Sequence, residues 1–221
     1  MATETTTPDS SYLDRPPIEP APVAAAPNAF LAGNPAAVGL PVFIVGSVAL
    51  ALVLIGYVPA SAAAASLPII MAATGIGLAF STVWAAAVGQ SAVASIFGIF
   101  AGFWLSYATL VLGLTHNWFA ITASAATHTQ GLFLISWIVV VTLLTLGTLR
   151  LPMAFTLLFA LVDLALLAVL IGTLNASTGW LKLGGVLVFA FAAVGAYLYV
   201  SVVSEATGGA TYPAGRPLLA G

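Results

Sequence analysis

The sequence predicts an all-α membrane protein, a bundle of six transmembrane helices, on three observations. Hydrophobic residues make up 62% of the 221-residue chain and charged residues 5%, with a mean hydropathy of +1.16, whereas an ordinary soluble domain carries roughly 25% charged residues. Six apolar segments approach or exceed the roughly 20 residues that a helix needs to cross a hydrocarbon core about 30 Å thick. Between Gly33 and Ser204 only Arg150, Asp163 and Lys182 are charged. Backbone polar groups find no water inside lipid, so such segments fold as helices rather than open sheet.

Taken in order, residues 1–33 contain Asp14-Arg15-Pro16-Pro17 and Pro20-Ala21-Pro22 and no apolar run to offset ordering entropy, which predicts a disordered tail. It is no secretory signal, because a basic leading region is missing and the first apolar stretch, starting near Val38, is long enough to span. The membrane domain is expected over 34–205, with spans at 38–58, 67–87, 92–114, 133–149, 152–174 and 180–203, and a short C-terminal tail over 206–221. Pro59-Ala60-Ser61, Gly89-Gln90-Ser91, a polar loop over 115–131, Arg150-Leu151-Pro152 and the stretch 175–179 separate them. An even number of spans puts both termini on one side. Arg15, Arg150 and Arg216 would share that side against Lys182 on the other, so the positive-inside rule makes both termini of this plasma-membrane protein cytoplasmic. Trp84, Trp118 and Trp180 fall near helix ends, at the depth of the headgroups.

Composition excludes several functions. Cysteine is absent, which removes disulfides, thiol nucleophiles and thiolate metal sites. A net charge of −2 offers no basic surface for nucleic acid. No paired carboxylates, phosphate-binding Gly loop or Ser/His/Asp constellation can be assembled at one membrane depth, so neither an enzyme nor a cofactor is expected. His116 and His128, twelve apart, read as solvated loop residues rather than metal ligands. Arg150 and Lys182 read as anchors at helix ends or else as vestibule residues that attract an anion, and Asn175-Ala176-Ser177 as a chance match to a glycosylation sequon.

Two features inside the spans remain. In the third helix Ala94, Gly98, Gly102 and Ser106 recur every four residues and form a flank where another helix can approach closely. Phe97, Phe100, Trp104 and Tyr107 take the other face and either fill space or look onto a lumen, a neighbouring subunit or lipid. In the fifth helix, Asp163 lies mid-span, where a charged carboxylate costs at least about 2.5–3.5 kcal/mol, so it is expected to face the bundle interior. It either relays a proton or hydrogen-bonds a neighbouring helix, and Thr156, seven positions earlier, would continue a polar track on nearly the same face.

Asn34-Pro35-Ala36-Ala37-Val38-Gly39-Leu40 opens the first helix, with Asn34 suited to cap it and Pro35 to its first turn. The motif resembles the Asn-Pro-Ala-Pro-Leu-Gly-Leu signature of the acetate uptake transporter (AceTr) family, which includes bacterial succinate–acetate permeases and yeast ammonia/acetate exporters. Ala37 and Val38 depart from it. Gly89-Gln90, Gly102-Phe103-Trp104-Leu105-Ser106, Gly147-Thr148-Leu149-Arg150 and the tail from Glu205 to Gly215 resemble further family blocks in the same order, so the resemblance covers about Asn34 to Arg216. It implies hexamers whose protomers each enclose a central path for acetate and related short carboxylates. It also implies a narrow point of Phe, Tyr and Leu, which falls here on Phe43, Phe100 and Val162, or Leu161 with a one-residue shift. Phe100 would then lack a tyrosine hydroxyl and Val162 would widen the gap. Apolar side chains at such a point favour a protonated or dehydrated acid, with Asp163 nearby as a proton acceptor. The contrasting expectation from another class is a non-transporting assembly subunit or scaffold.

Overall fold

The computed structural model describes residues 32–219. The tail expected over 1–33 lies outside the described residues as far as Leu31. Six helices are long and apolar enough to span a bilayer, and no strand occurs among the described residues.

Helix α1 (Ala36–Ile55) begins where the motif predicts. The Asn34 side-chain oxygen accepts the Ala36 N–H at 3.0 Å, while Pro35, which has no N–H, leaves no donor unsatisfied. The helix stops at Gly56, whose φ of 87° takes the left-handed conformation common at helix ends.

The second span is not the uniform helix expected over 67–87. A 3-10 segment (Ala60–Ser66) and a π-helical segment (Ile69–Gly75) precede helix α2 (Ile76–Ala87). The widened turn packs against both α1 and α3. It seats the fully buried Thr74 in a notch at Gly46 of α1, where an added methyl would overlap the threonine side chain. Apolar periodicity carries no sign of this change in winding.

Helix α3 (Ser91–Thr115) follows a tight turn at Gly89, and helix α4 runs over Ala123–Gly147. Helix α4 corrects the reading of 115–131 as loop: it starts at Ala123, ahead of the expected residue 133. The run Ala123-Ser124-Ala125-Ala126 has strong helix formers, and the Thr, His and Gln after it are tolerated because helix formation outlasts the apolar stretch. His128 is therefore helical, while His116 caps the end of α3 and stacks on Trp118 with ring centres 5.7 Å apart.

A 3-10 turn (Thr148–Arg150) leads to α5 (Met153–Leu174), and α6 (Thr178–Ala206) completes the bundle. Helix α1 packs on α6, α6 on α5, and α5 on α4, while α2 packs on α3. Leu132, Ile135, Val139, Leu143 and Leu146 of α4 stay exposed, an apolar face of the kind lipid covers.

After α6, residues 207–219 form a non-helical strap. The Ala154 N–H donates to the Ala214 carbonyl (2.9 Å), and the Leu218 and Leu219 N–H groups donate to the Leu149 carbonyl (3.1 and 3.0 Å). The Tyr197 hydroxyl donates to the Pro213 carbonyl (2.9 Å), and the Tyr212 N–H to the Ser201 hydroxyl (2.8 Å). The strap thus fastens the α4–α5 turn, the start of α5 and the end of α6.

Candidate functional site

Two cavities lie along the bundle, with a wall of aromatic rings between them. The outer one, about 340 Å³, opens among Asn34, Gln90, Ser201 and Tyr212, at the end where α1 starts and α6 finishes. The inner one, about 60 Å³, lies toward the opposite end among Leu54, Tyr107, Val169 and Val188. Even the smaller exceeds several-fold the ~10–15 Å³ that a single water requires.

Phe43 and Phe100 line both cavities and so form the partition. Their rings meet edge to face with centres 5.1 Å apart, an arrangement that sets the positive edge of one ring on the negative face of the other. Phe159 of α5 stacks on Phe100 at 5.7 Å, and Phe191 of α6 lies 5.6 Å from Phe43. Four helices therefore contribute one ring each. All four rings are buried, and so is Val162, which lines the inner cavity beside Phe43 and Phe100. Leu161 lines neither cavity.

The opening motif has a physical role at this wall. Leu40 and Phe43, three residues apart on α1, face the outer cavity together. A methyl at Gly39 would overlap the Phe97 ring, so glycine lets this aromatic wall residue of α3 approach the α1 backbone. The α3 aromatics, open in the sequence between packing and lumen, line the path: Phe97 and Phe100 the outer cavity, and Phe100, Trp104 and Tyr107 the inner one. Trp104 is buried and its indole N–H meets no acceptor among the described residues. The Thr74 and Ser66 hydroxyls are in the same condition.

On the opposite flank of α3, Gly98 lies beside Thr82 of α2, 3.2 Å from where its Cβ would sit, and Gly102 beside the Trp137 ring of α4, at 3.3 Å. Gly102 is nevertheless exposed, and Ala94 and Ser106 are only partly buried. The Ser106 hydroxyl is taken up by the Gly102 carbonyl of its own helix (2.6 Å).

Asp163 lines neither cavity. One residue on from Val162 turns it about 100° around the helix, toward α4 and away from the path. Its two carboxyl oxygens accept the hydroxyls of Thr142 (3.1 Å) and Thr145 (2.7 Å). Thr156 does not extend a polar track to it, because its buried hydroxyl donates to the Thr148 carbonyl (2.9 Å).

Sequence reasoning missed Phe159, Phe191 and Tyr212. Phe159 was within reach, since it precedes Val162 by three residues and shares its face. Nothing local marks Phe191, and Tyr212 reaches the cavity only through the fold of the strap.

Six apolar helices around an aromatic-walled pair of cavities define a multi-pass membrane protein of the solute-path type. The chain belongs to the GPR1/FUN34/yaaH family, whose model matches residues 18–214. A solved structure described as that of the bacterial acetate channel SatP resembles it with a TM-score of 0.72 and 21% identity, over 82% of this chain and 98% of that one. No curated protein sequence matches the chain significantly.

Proposed function

We propose that this protein is a channel or transporter for acetate and related short-chain carboxylates, and that the aromatic partition selects what passes. The observation carrying this reading is that Phe43 and Phe100 belong to both cavities, so a solute moving between them must pass these rings. Family membership and the fold shared with an acetate channel support it.

The chemistry follows from the lining. Asn34, Gln90, Ser201 and Tyr212 offer polar groups where the outer cavity opens, on the cytoplasmic side with both termini inside, and a carboxylate passing there exchanges some of its water for them. The four phenylalanine rings themselves carry no polar group to replace that water, and moving an unpaired charge into such surroundings is costly. A protonated acid avoids this cost, so uptake rises as external pH falls. Phenylalanine at 100 and valine at 162, where the family resemblance implies tyrosine and leucine, give a drier and wider gap. In this reading proton dependence belongs to the solute, and Asp163 ties α4 to α5. The protomers assemble as a hexamer. Both ends of the membrane domain face the cytoplasm, beside Arg150 and Arg216, with Lys182 outside. No catalytic step is assigned.

Purified protein in liposomes tests the reading. Labelled acetate influx that responds to changes at Phe43 and Phe100 supports it. Influx no greater than in empty vesicles leaves the scaffold reading instead.

A further inference from the structure

We propose that the strap over 207–219 is a detachable wall of the outer cavity, and that Tyr212, pinned in the opening, is a specificity-determining residue for acids that pass through it. Tyr212 and Ala214 line that cavity together with side chains from the helices. The cavity is therefore open on one side without residues that lie beyond the last span.

The way the strap is held makes it separable from the bundle. Of its residues only Ala214 is even partly buried, and the others are exposed. Its attachment is mainly by hydrogen bonds, two of which bracket the tyrosine: its own N–H donates to the Ser201 hydroxyl, and the Tyr197 hydroxyl donates to the Pro213 carbonyl. The Tyr212 and Tyr197 rings also lie 5.8 Å apart. A segment with few buried contacts and exposed hydrogen bonds opens well before the helices it rests on. While it is closed, Tyr212 lines the entrance together with Asn34, Gln90 and Ser201. Once it lifts, the entrance widens and Tyr212 leaves its wall. At Gly215, φ is 83° and a Cβ would lie 3.0 Å from the Met153 Cβ, so glycine lets the strap turn down onto α5.

The proposal rests on the transport reading only in treating the cavity as a solute route, and the test separates the two. The chain has no cysteine, so Val93→Cys, in the outer-cavity wall, is a unique reporter for a membrane-impermeant anionic thiosulfonate. In full-length protein in liposomes, Tyr197→Phe and Ser201→Ala each remove one tether. Each should speed labelling about 2–10-fold, the factor that one net hydrogen bond represents. Tyr212→Ala should speed labelling too and shift uptake from acetate toward bulkier acids such as butyrate. Unchanged labelling in all three variants, with the monodisperse profile of the parent, overturns the detachable wall. Unchanged acid preference in Tyr212→Ala overturns its role in specificity. Faster labelling without acetate uptake by the wild type refutes the transport reading and leaves the detachable wall standing.

Discussion

Replacing Phe100 by alanine breaches the wall between the two cavities. The ring meets Phe43 at 5.1 Å and Phe159 at 5.7 Å and is 3% exposed, so little around it is free to collapse into the gap. A buried Phe→Ala change costs about 3–5 kcal/mol, and each aromatic pair accounts for about 0.5–1.5 kcal/mol beyond burial. The variant should therefore melt measurably lower in detergent while the helices persist. Its functional effect should run the other way. With the outer and inner cavities joined, size discrimination weakens, and lactate uptake relative to acetate should rise about tenfold, the low end of what one added group is worth to a fitted pocket. Uptake at high external pH should also rise, because water can follow the anion through the gap. Competition of unlabelled lactate, propionate and succinate against labelled acetate in liposomes measures the first effect, and initial rates at pH 5 and 8 measure the second. A correctly folded Phe100→Ala protein with wild-type preference and pH profile would refute the argument that these rings are the selective element.

Gly39→Ala forces the Phe97 ring aside and should destabilise the protein by about 1–3 kcal/mol, as overpacking does; thermal unfolding against the wild type checks it. Asp163→Asn should leave the pH profile of acetate uptake between 5 and 8 unchanged, since the side chain is bonded to Thr142 and Thr145 rather than exposed to either cavity. A flattened profile would make it a proton carrier after all. Asp163→Leu abolishes both bonds and should lower the melting temperature, by about 0.5–1.5 kcal/mol of stability per bond lost. Val162→Phe fills the inner cavity beside the partition, and acetate influx should fall severely without loss of protein from the membrane fraction.

Much of this architecture was legible because lipid imposes a simple rule, apolar runs of spanning length ended by Gly, Pro and polar residues. The rule failed where helix and hydrocarbon do not coincide. Helix α4 continues through Thr127, His128 and Gln130 because helix propensity does not end with apolar character. The π-helical turn at Ile69–Gly75 has no local mark in the sequence, and the notch at Gly46 that receives its Thr74 lies on another helix. Phe43, Phe100 and Val162, which the family motifs set in register, line one cavity. Phe191 could not be found this way, since one phenylalanine among the apolar residues of α6 carries no mark of what it faces. Asp163 follows Val162 in sequence yet lines neither cavity, because one step along a helix turns a side chain by over a quarter of a circle.

The strap has a consequence for biosynthesis. Translation delivers residues from the amino end onward, so Tyr212 and Ala214 emerge only after every residue of the six spans. A nascent or truncated product lacking them would have a complete set of spans and an unfinished doorway. A premature stop shortly after Ala206 should thus yield protein that reaches the membrane in normal amounts yet has a shifted preference among its solutes.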